Sequence, residues 1–226
     1  MVEPNPTVVC GSSAAEWFAG IGTFVLAFVA VFQQWLQQLI VRPRLELSAK
    51  VERPDAEKSR WGKSDTDVYY FRLGIRNTGN KAAHDVQIYL ASVERLRADN
   101  QYKPVDKFRP SNFTWAYTSE PTKDVILQGM PPVFCDMAHI VDPARKVAMG
   151  ENIVGSAEDE TVLALNLEVL PFSGGHLLEV GTYRFGLIVA ASNSKPRPYT
   201  LQVNAKGKWS RDEDKMFSDG FGMRLL

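Results

Sequence analysis

From Trp17 to Val41 the chain runs through 25 residues without a charged side chain, WFAGIGTFVLAFVAVFQQWLQQLIV. As a helix rising 1.5 Å per residue, this stretch is about 37 Å long, enough to cross a hydrocarbon core of about 30 Å. Its apolar heart, Trp17 to Phe32, is 16 residues long. Gln33, Gln34, Gln37 and Gln38 fill the last third, and Trp17 and Trp35 stand where interfacial aromatics belong. The expectation is a transmembrane helix over residues 17–41, preceded by a short extracytoplasmic segment, residues 1–16. The competing reading is a helix buried in a protein core.

Charge sets the expected orientation. Residues 1–41 hold Glu3 and Glu16 but no Lys or Arg, and all 26 basic residues lie beyond position 41, starting with Arg42 and Arg44. By the positive-inside rule the N-terminus lies outside and residues 42–226 lie in the cytosol. A cleavable signal peptide would need a basic leading segment, which is missing.

One face of the expected helix differs from the rest. Alternating steps of three and four give Ser13, Glu16, Gly20, Thr23, Ala27, Ala30, Gln34 and Gln37, all small or polar. The other positions carry Phe18, Ile21, Phe24, Val25, Leu26, Phe28, Val29, Val31 and Phe32. That spacing is the seam of a left-handed bundle, and glutamines in lipid need partners from another chain. A homo-oligomer of three or more copies follows. Two readings of the seam stay open. In one it is packing glue; in the other it lines a wet pore, with rings of Gln34 and Gln37 and a carboxylate ring from Glu16 at the outer mouth.

After Arg42 the hydrophobic period switches to two. Leu45, Leu47, Ala49 and Val51 share a face, as do Tyr69, Phe71, Leu73 and Ile75, and then Val86, Ile88 and Leu90. Late in the chain Leu163 to Val169, Tyr183 to Val189 and Tyr199 to Ala205 alternate in the same way. Short strands separated by turn signals predict a mainly-β sandwich over residues 42–226, with an irregular elaboration over 96–160 in which Val125-Ile-Leu and Val133-Phe-Cys-Asp-Met read as short strands. The run Leu73-Gly-Ile-Arg-Asn-Thr-Gly-Asn-Lys-Ala-Ala-His-Asp-Val-Gln-Ile-Tyr-Leu90 resembles a hairpin of immunoglobulin-like bacterial modules of the CARDB type. The resemblance implies an immunoglobulin-like sandwich and says nothing of activity.

Chemistry is sparse. With 26 basic and 26 acidic residues the formal charge is zero, which excludes a strongly basic nucleic-acid binder but leaves local patches. Cys10 and Cys135 make no disulfide framework. His84, His139 and His176 show no metal-ligand spacing, and no nucleophile elbow or phosphate loop occurs. Cys135, in an apolar run, reads as a core residue. No enzyme, metal or cofactor is expected.

What remains is basic residues interleaved with aromatics. Arg60, Trp61 and Lys63 follow the first strand; Arg197 and Tyr199 open the last; Lys208, Trp209 and Arg211 come after it. Two further groups are Tyr102-Lys103 and Lys107-Phe108-Arg109. Cations for phosphate and flat rings for bases suit a nucleotide or single-stranded DNA. The layout of one span, a polar seam and a basic-aromatic β domain resembles bacterial anti-phage membrane channel effectors of the Hailong type. That resemblance implies an oligomeric ion channel gated by a signal from a partner nucleotidyltransferase. The other class is a passive membrane-tethered adaptor whose sandwich recruits a protein partner.

Overall fold

The computed structural model describes residues 14–40, 42–62, 65–118 and 120–226, without the side chains of residues 14–16 and 34–40. The chain divides into two compact units, Met1–Arg42 and Pro43–Leu226.

The first unit holds helix α1 (Ala14–Ile40). Its described side chains, residues 17–33, are all exposed, Phe18, Phe24, Leu26 and Val31 among them. Among the described residues no helix is long and apolar enough to cross a membrane. The stretch with described side chains spans about 25 Å, short of the hydrocarbon core. The transmembrane expectation is therefore not met by the described part of α1, and its two ends lie outside the described side chains.

The second unit meets the mainly-β expectation: two seven-stranded antiparallel sheets. The strands are β1 (Leu45–Ser48), β2 (Ala56–Arg60), β3 (Asp67–Asn77), β4 (Ala83–Leu96), β5 (Tyr102–Pro104), β6 (Ser111–Asn112) and β7 (Thr114–Trp115). They continue with β8 (Lys123–Ile126), β9 (Val133–Val141), β10 (Leu163–Leu165), β11 (Leu177–Leu178), β12 (Gly181–Ala191), β13 (Ser194–Ala205) and β14 (Phe221–Leu225). The first sheet runs β1-β3-β9-β10-β11, with β2 also on β3 and β7 on β9. The second runs β14-β13-β12-β4-β5, with β6 and β8 on β4.

Alternation places the core between them. On β12, Tyr183, Phe185, Leu187 and Val189 point inward, and Leu201, Val203 and Ala205 of β13 join them. Phe71 of the first sheet stacks on Phe221 of the second with ring centroids 3.7 Å apart. On β4 the buried set passes from Val86, Ile88 and Leu90 to Val93, because a bulge at Ala91 shifts the register against Gly186 and Leu187. A Cβ at Gly186 would stand 2.5 Å from Ser92 Oγ, so the serine hydroxyl would have to turn away.

Two expectations need correction. The run Leu73–Leu90 is not a hairpin: β3 and β4 belong to different sheets, and residues 78–82 cross between them. Asn77, fully buried, holds the crossing. Its Oδ1 accepts from the N–H groups of Arg44 (3.1 Å) and Gly79 (3.0 Å), and its Nδ2 donates to the carbonyls of Lys81 (2.7 Å) and Ile126 (3.1 Å).

Residues 96–160 are more regular than expected. They contain β5 to β9, and β9 is a central strand of the first sheet, paired with both β3 and β10. A bulge between Ala138 and Asp136 breaks its period, so no alternation runs its whole length in the sequence. Conversely the expected strand over 163–169 ends at Leu165, and Val169 is exposed.

Candidate functional site

The start of β3 and the ends of β2 and β9 meet at one end of the first sheet, since Arg60 lies opposite Asp67 and Val68 opposite Val141. The C-terminal segment folds onto this end. Trp209 meets the Tyr69 ring edge-on at 5.2 Å; Lys58 Nζ donates to the Arg211 carbonyl (3.1 Å) and the Lys58 N–H to Glu213 Oε1 (3.2 Å). Arg53 closes the clasp on Glu213 at 2.7 Å. Two of the expected basic-aromatic groups, Arg60-Trp61 and Lys208-Trp209-Arg211, are thus brought to one end. Lys63 lies outside the described residues.

Arg197 and Tyr199 are not brought there. Tyr199 is half-buried on β13, and its hydroxyl donates to the Leu45 carbonyl (3.1 Å), opposite Asn77 at the far end of β3. Eight strand steps separate Asn77 from Tyr69, about 26 Å at 3.3 Å per residue. Arg197 pairs with Val189 nearby on the second sheet. Of the seam residues, Gly20, Thr23, Ala27 and Ala30 lie exposed on α1, and the Thr23 hydroxyl donates to the Ala19 carbonyl (2.8 Å). The side chains of Glu16, Gln34 and Gln37 lie outside the described residues.

Carboxylates interleave with the cations at the basic-aromatic end. Lys58 pairs with Asp67 (3.0 Å), Arg60 with Asp65 (3.3 Å), and Arg211 approaches Asp142 (4.0 Å). Lys208 and Trp209 line a groove of about 680 Å³ with Asp142, Glu158 and Asp159. The Arg60 and Arg211 pairs are exposed, and exposed pairs contribute about 0–1 kcal/mol each, so an incoming phosphate can compete for both cations.

Beside this end lies a cluster that sequence spacing does not reveal. Tyr70 faces His139 across the β3–β9 ladder. The Trp61 ring lies nearly parallel to Tyr70, 6.4 Å away, and 4.8 Å from the His139 ring, so both cover the histidine. His139 Nε2 is 2.6 Å from Glu151 Oε1, and its Nδ1 is 2.7 Å from Asn166 Oδ1. Two acceptors would demand an imidazolium; turning the Asn166 amide lets its nitrogen donate to a neutral ring, which also removes the lack of a partner at Asn166 Nδ2. Glu151 Oε2 and His176 Nδ1 are buried without partners in the same region. Burial lowers the His176 pKa and raises that of Tyr70.

Glu151 reaches His139 from the 142–160 segment, which the buried Lys146 ties down. Its ammonium donates to Ser156 Oγ (3.3 Å) and to the carbonyls of Glu160 (2.9 Å) and Ala157. Further along the same sheet face, Arg72 is held between Glu57 (2.5 Å) and Asp136 (2.9 Å), under the rings of Tyr70 and Tyr117. Burial raises the Asp136 pKa, against the pull of Arg72.

These groups suit recognition by stacking and hydrogen bonding. Cys135 fits the core role expected for it: it is fully buried, its thiol donates to the Thr114 carbonyl (3.2 Å), and burial pushes its pKa well up. Among the described residues no group of three or more His, Cys, Asp or Glu is placed to hold a metal ion. The second-sheet groups serve neighbours: Tyr102 lies 3.9 Å from the Arg184 guanidinium and Lys103 pairs with Asp99 (2.6 Å). No protein-family model, curated protein or solved structure matches this chain.

Proposed function

We propose that this protein is a membrane-anchored homo-oligomeric effector, an ion channel in anti-phage defence. Three or more α1 helices pack through the seam Glu16, Gly20, Thr23, Ala27, Ala30, Gln34 and Gln37. The domain over 42–226, read as an immunoglobulin-like sandwich, is its cytosolic sensor. The observation that carries the anchor is the exposure of every large apolar side chain from Trp17 to Phe32 on α1. In this reading the exposed apolar side chains are covered by lipid and the small and polar seam by other copies of the helix. A Cβ built on Gly20 meets nothing within 4 Å, so the seam has room there for close approach by a neighbouring backbone.

The signal in this reading is a nucleotide or single-stranded oligonucleotide made by a partner nucleotidyltransferase. In this reading Trp61 and Trp209 offer rings and Arg60, Lys208 and Arg211 offer cations at one end of the first sheet, and Lys63 is a further cation of the same group in the sequence. Arg197 and Tyr199, at the far end, reach the same strand only from another subunit or across a ligand about 26 Å long. Binding shifts the gate by its differential affinity for the open and closed arrangements.

Reconstitution into liposomes tests the reading. Ion flux that changes with added short single-stranded DNA, and is lost in Gln34→Leu and Gln37→Leu, is the expected result. Trp61→Ala and Trp209→Ala should weaken DNA binding about tenfold each, the scale of losing one base stack. Absence of flux and of DNA binding in a membrane-extracted oligomer moves the conclusion to the tethered adaptor. That second reading draws on the carboxylates Asp65, Asp67 and Asp142 beside the cations.

A further inference from the structure

A cleft of about 270 Å³ opens where the end of β4 meets the turns at 105–107 and 173–175. Its lining carries the cations Arg95, Arg97 and Lys107 and the carboxylates Asp106 and Glu179. Arg95 is spent within the chain: it donates to Glu179 Oε2 (2.7 Å) and to the Val180 carbonyl (2.7 Å). Arg97 and Lys107 are exposed and have no carboxylate partner among the described residues. Asp106 is exposed too and makes no ion pair with either, so the cleft keeps a net positive charge. Lys107 stands at φ +65°. The Phe108 N–H donates to the Val105 carbonyl (3.4 Å), which puts Lys107 in the third place of a tight turn, where glycine is usual. Ser173 Oγ donates to the Lys107 carbonyl (3.3 Å), and a Cβ at Gly175 would strike that same carbonyl, so the two turns are packed together. An exposed, unpaired lysine kept in left-handed backbone is an outlier of the kind that collects at ligand sites.

The loops that line this cleft also hold apolar side chains in water. Phe172, next to the lining residue Ser173, is fully exposed, and Val154, next to the lining residue Ile153, is 97% exposed. Val169 and Leu170 are exposed on the same loop as Phe172. That loop is folded in two successive turns: the Gly174 N–H donates to the Pro171 carbonyl (3.0 Å) and the Leu177 N–H to the Gly174 carbonyl (3.0 Å). An ordered loop that presents Val, Leu and Phe side chains to water marks a surface that meets something apolar. Unpaired cations call for an anion, and the apolar side chains around them call for hydrocarbon. An anionic phospholipid in a bilayer supplies both within one molecule.

We propose that this cleft takes the phosphate of an anionic phospholipid on Arg97 and Lys107, while Val154, Val169, Leu170 and Phe172 enter the edge of the acyl layer. The contact belongs to the sandwich itself and uses none of the residues assigned to the signal. It rests on neither the channel nor the nucleotide reading, and it stands whether or not α1 crosses the bilayer.

Hydrogen exchange on the full-length protein decides it, read at residues 105–109 and 168–176. The surroundings compared are detergent micelles, vesicles of phosphatidylcholine, and vesicles of equal parts phosphatidylcholine and phosphatidylglycerol. The readout is local, so it does not depend on how α1 holds the vesicle. Exchange of both segments should be about tenfold slower or more in the anionic vesicles than in phosphatidylcholine alone. Arg97→Gln and Lys107→Gln should each take back about fivefold of that difference, the share of one cation at an anionic lipid surface. Phe172→Ser should lessen the slowing in both kinds of vesicle. All three changes fall on exposed side chains, and unchanged exchange in β12 and β13 shows that the fold is intact. Equal exchange in the two kinds of vesicle overturns the proposal, as does an anionic effect that survives both cation changes. Slowing by inorganic phosphate in micelles, with none from anionic vesicles, also overturns it, since the cleft then takes free phosphate rather than lipid.

Discussion

Phenylalanines have opposite fates in the two units. In the sandwich Phe71 is 0% exposed, stacked against Phe221 between the sheets; on α1 Phe24 is 73% exposed. Transfer from water favours burying either ring by about 2–3 kcal/mol, so the difference lies in what the chain supplies as a partner. The sandwich closes its own core with residues from both sheets. On α1 the large apolar side chains from Trp17 to Phe32 are exposed. Stability of the second unit should therefore be a property of one polypeptide, and that of the first a property of its surroundings.

The largest test is a pair of truncations. Phe71→Ala should cost the sandwich about 3–5 kcal/mol in chemical denaturation, the usual penalty for an aromatic-sized core cavity. Phe24→Ala should leave that transition within about 0.5 kcal/mol while altering oligomer size in detergent. Equal effects of the two changes on sandwich unfolding would erase the distinction.

Asn77→Ala comes next, at about 3 kcal/mol, because it strands buried backbone groups at the inter-sheet crossing. Hydrogen exchange should loosen first at residues 77–83 and in β8. Lys146→Met sharpens the comparison within the sandwich: a loss of about 1–3 kcal/mol, with new protease cleavage confined to 142–160. Spread of cleavage into β3 or β9 would mean that the segment is part of the core rather than fastened to it.

The smallest effect concerns acid. Hydrogen bonding to Arg53 holds the Glu213 carboxyl below its ordinary 4.5. A lowered carboxylate pKa stabilises the folded state fully above the unfolded value and loses that contribution as pH falls through the folded one. The clasp of the C-terminal segment should thus release below about pH 4.5, read as a change in Trp209 fluorescence. Glu213→Gln should abolish that acid step without moving the main unfolding transition.

The strands that obey period two were legible residue by residue. Leu45 and Leu47, the run Tyr69 to Ile75, and the pair β12–β13 lie where their alternation puts them. Of β9 only Val133 to Met137 reads as a strand, because the bulge at Met137 carries the pattern across the strand mid-way. The candidate site was half legible. Basic-aromatic spacing singled out Trp61 and Trp209, which do share one end of a sheet. It also grouped Tyr199 with them, whereas the hydroxyl of that residue is spent on Leu45. Nothing in the spacing announced His139, Glu151 and Asn166, which meet only because Tyr70 and His139 are in register and the 142–160 segment folds back over them.

Local pattern thus determined what each short segment is: a long helix uncharged from Trp17 onward, alternating strands, turns rich in Asn and Gly. These are questions of side-chain period and backbone preference, answered within a few residues. Tertiary structure alone decided which strands pair, that β3 and β4 part into different sheets, and which charges are matched. Those depend on register and on contacts between distant residues, where one bulge moves a side chain from one face to the other.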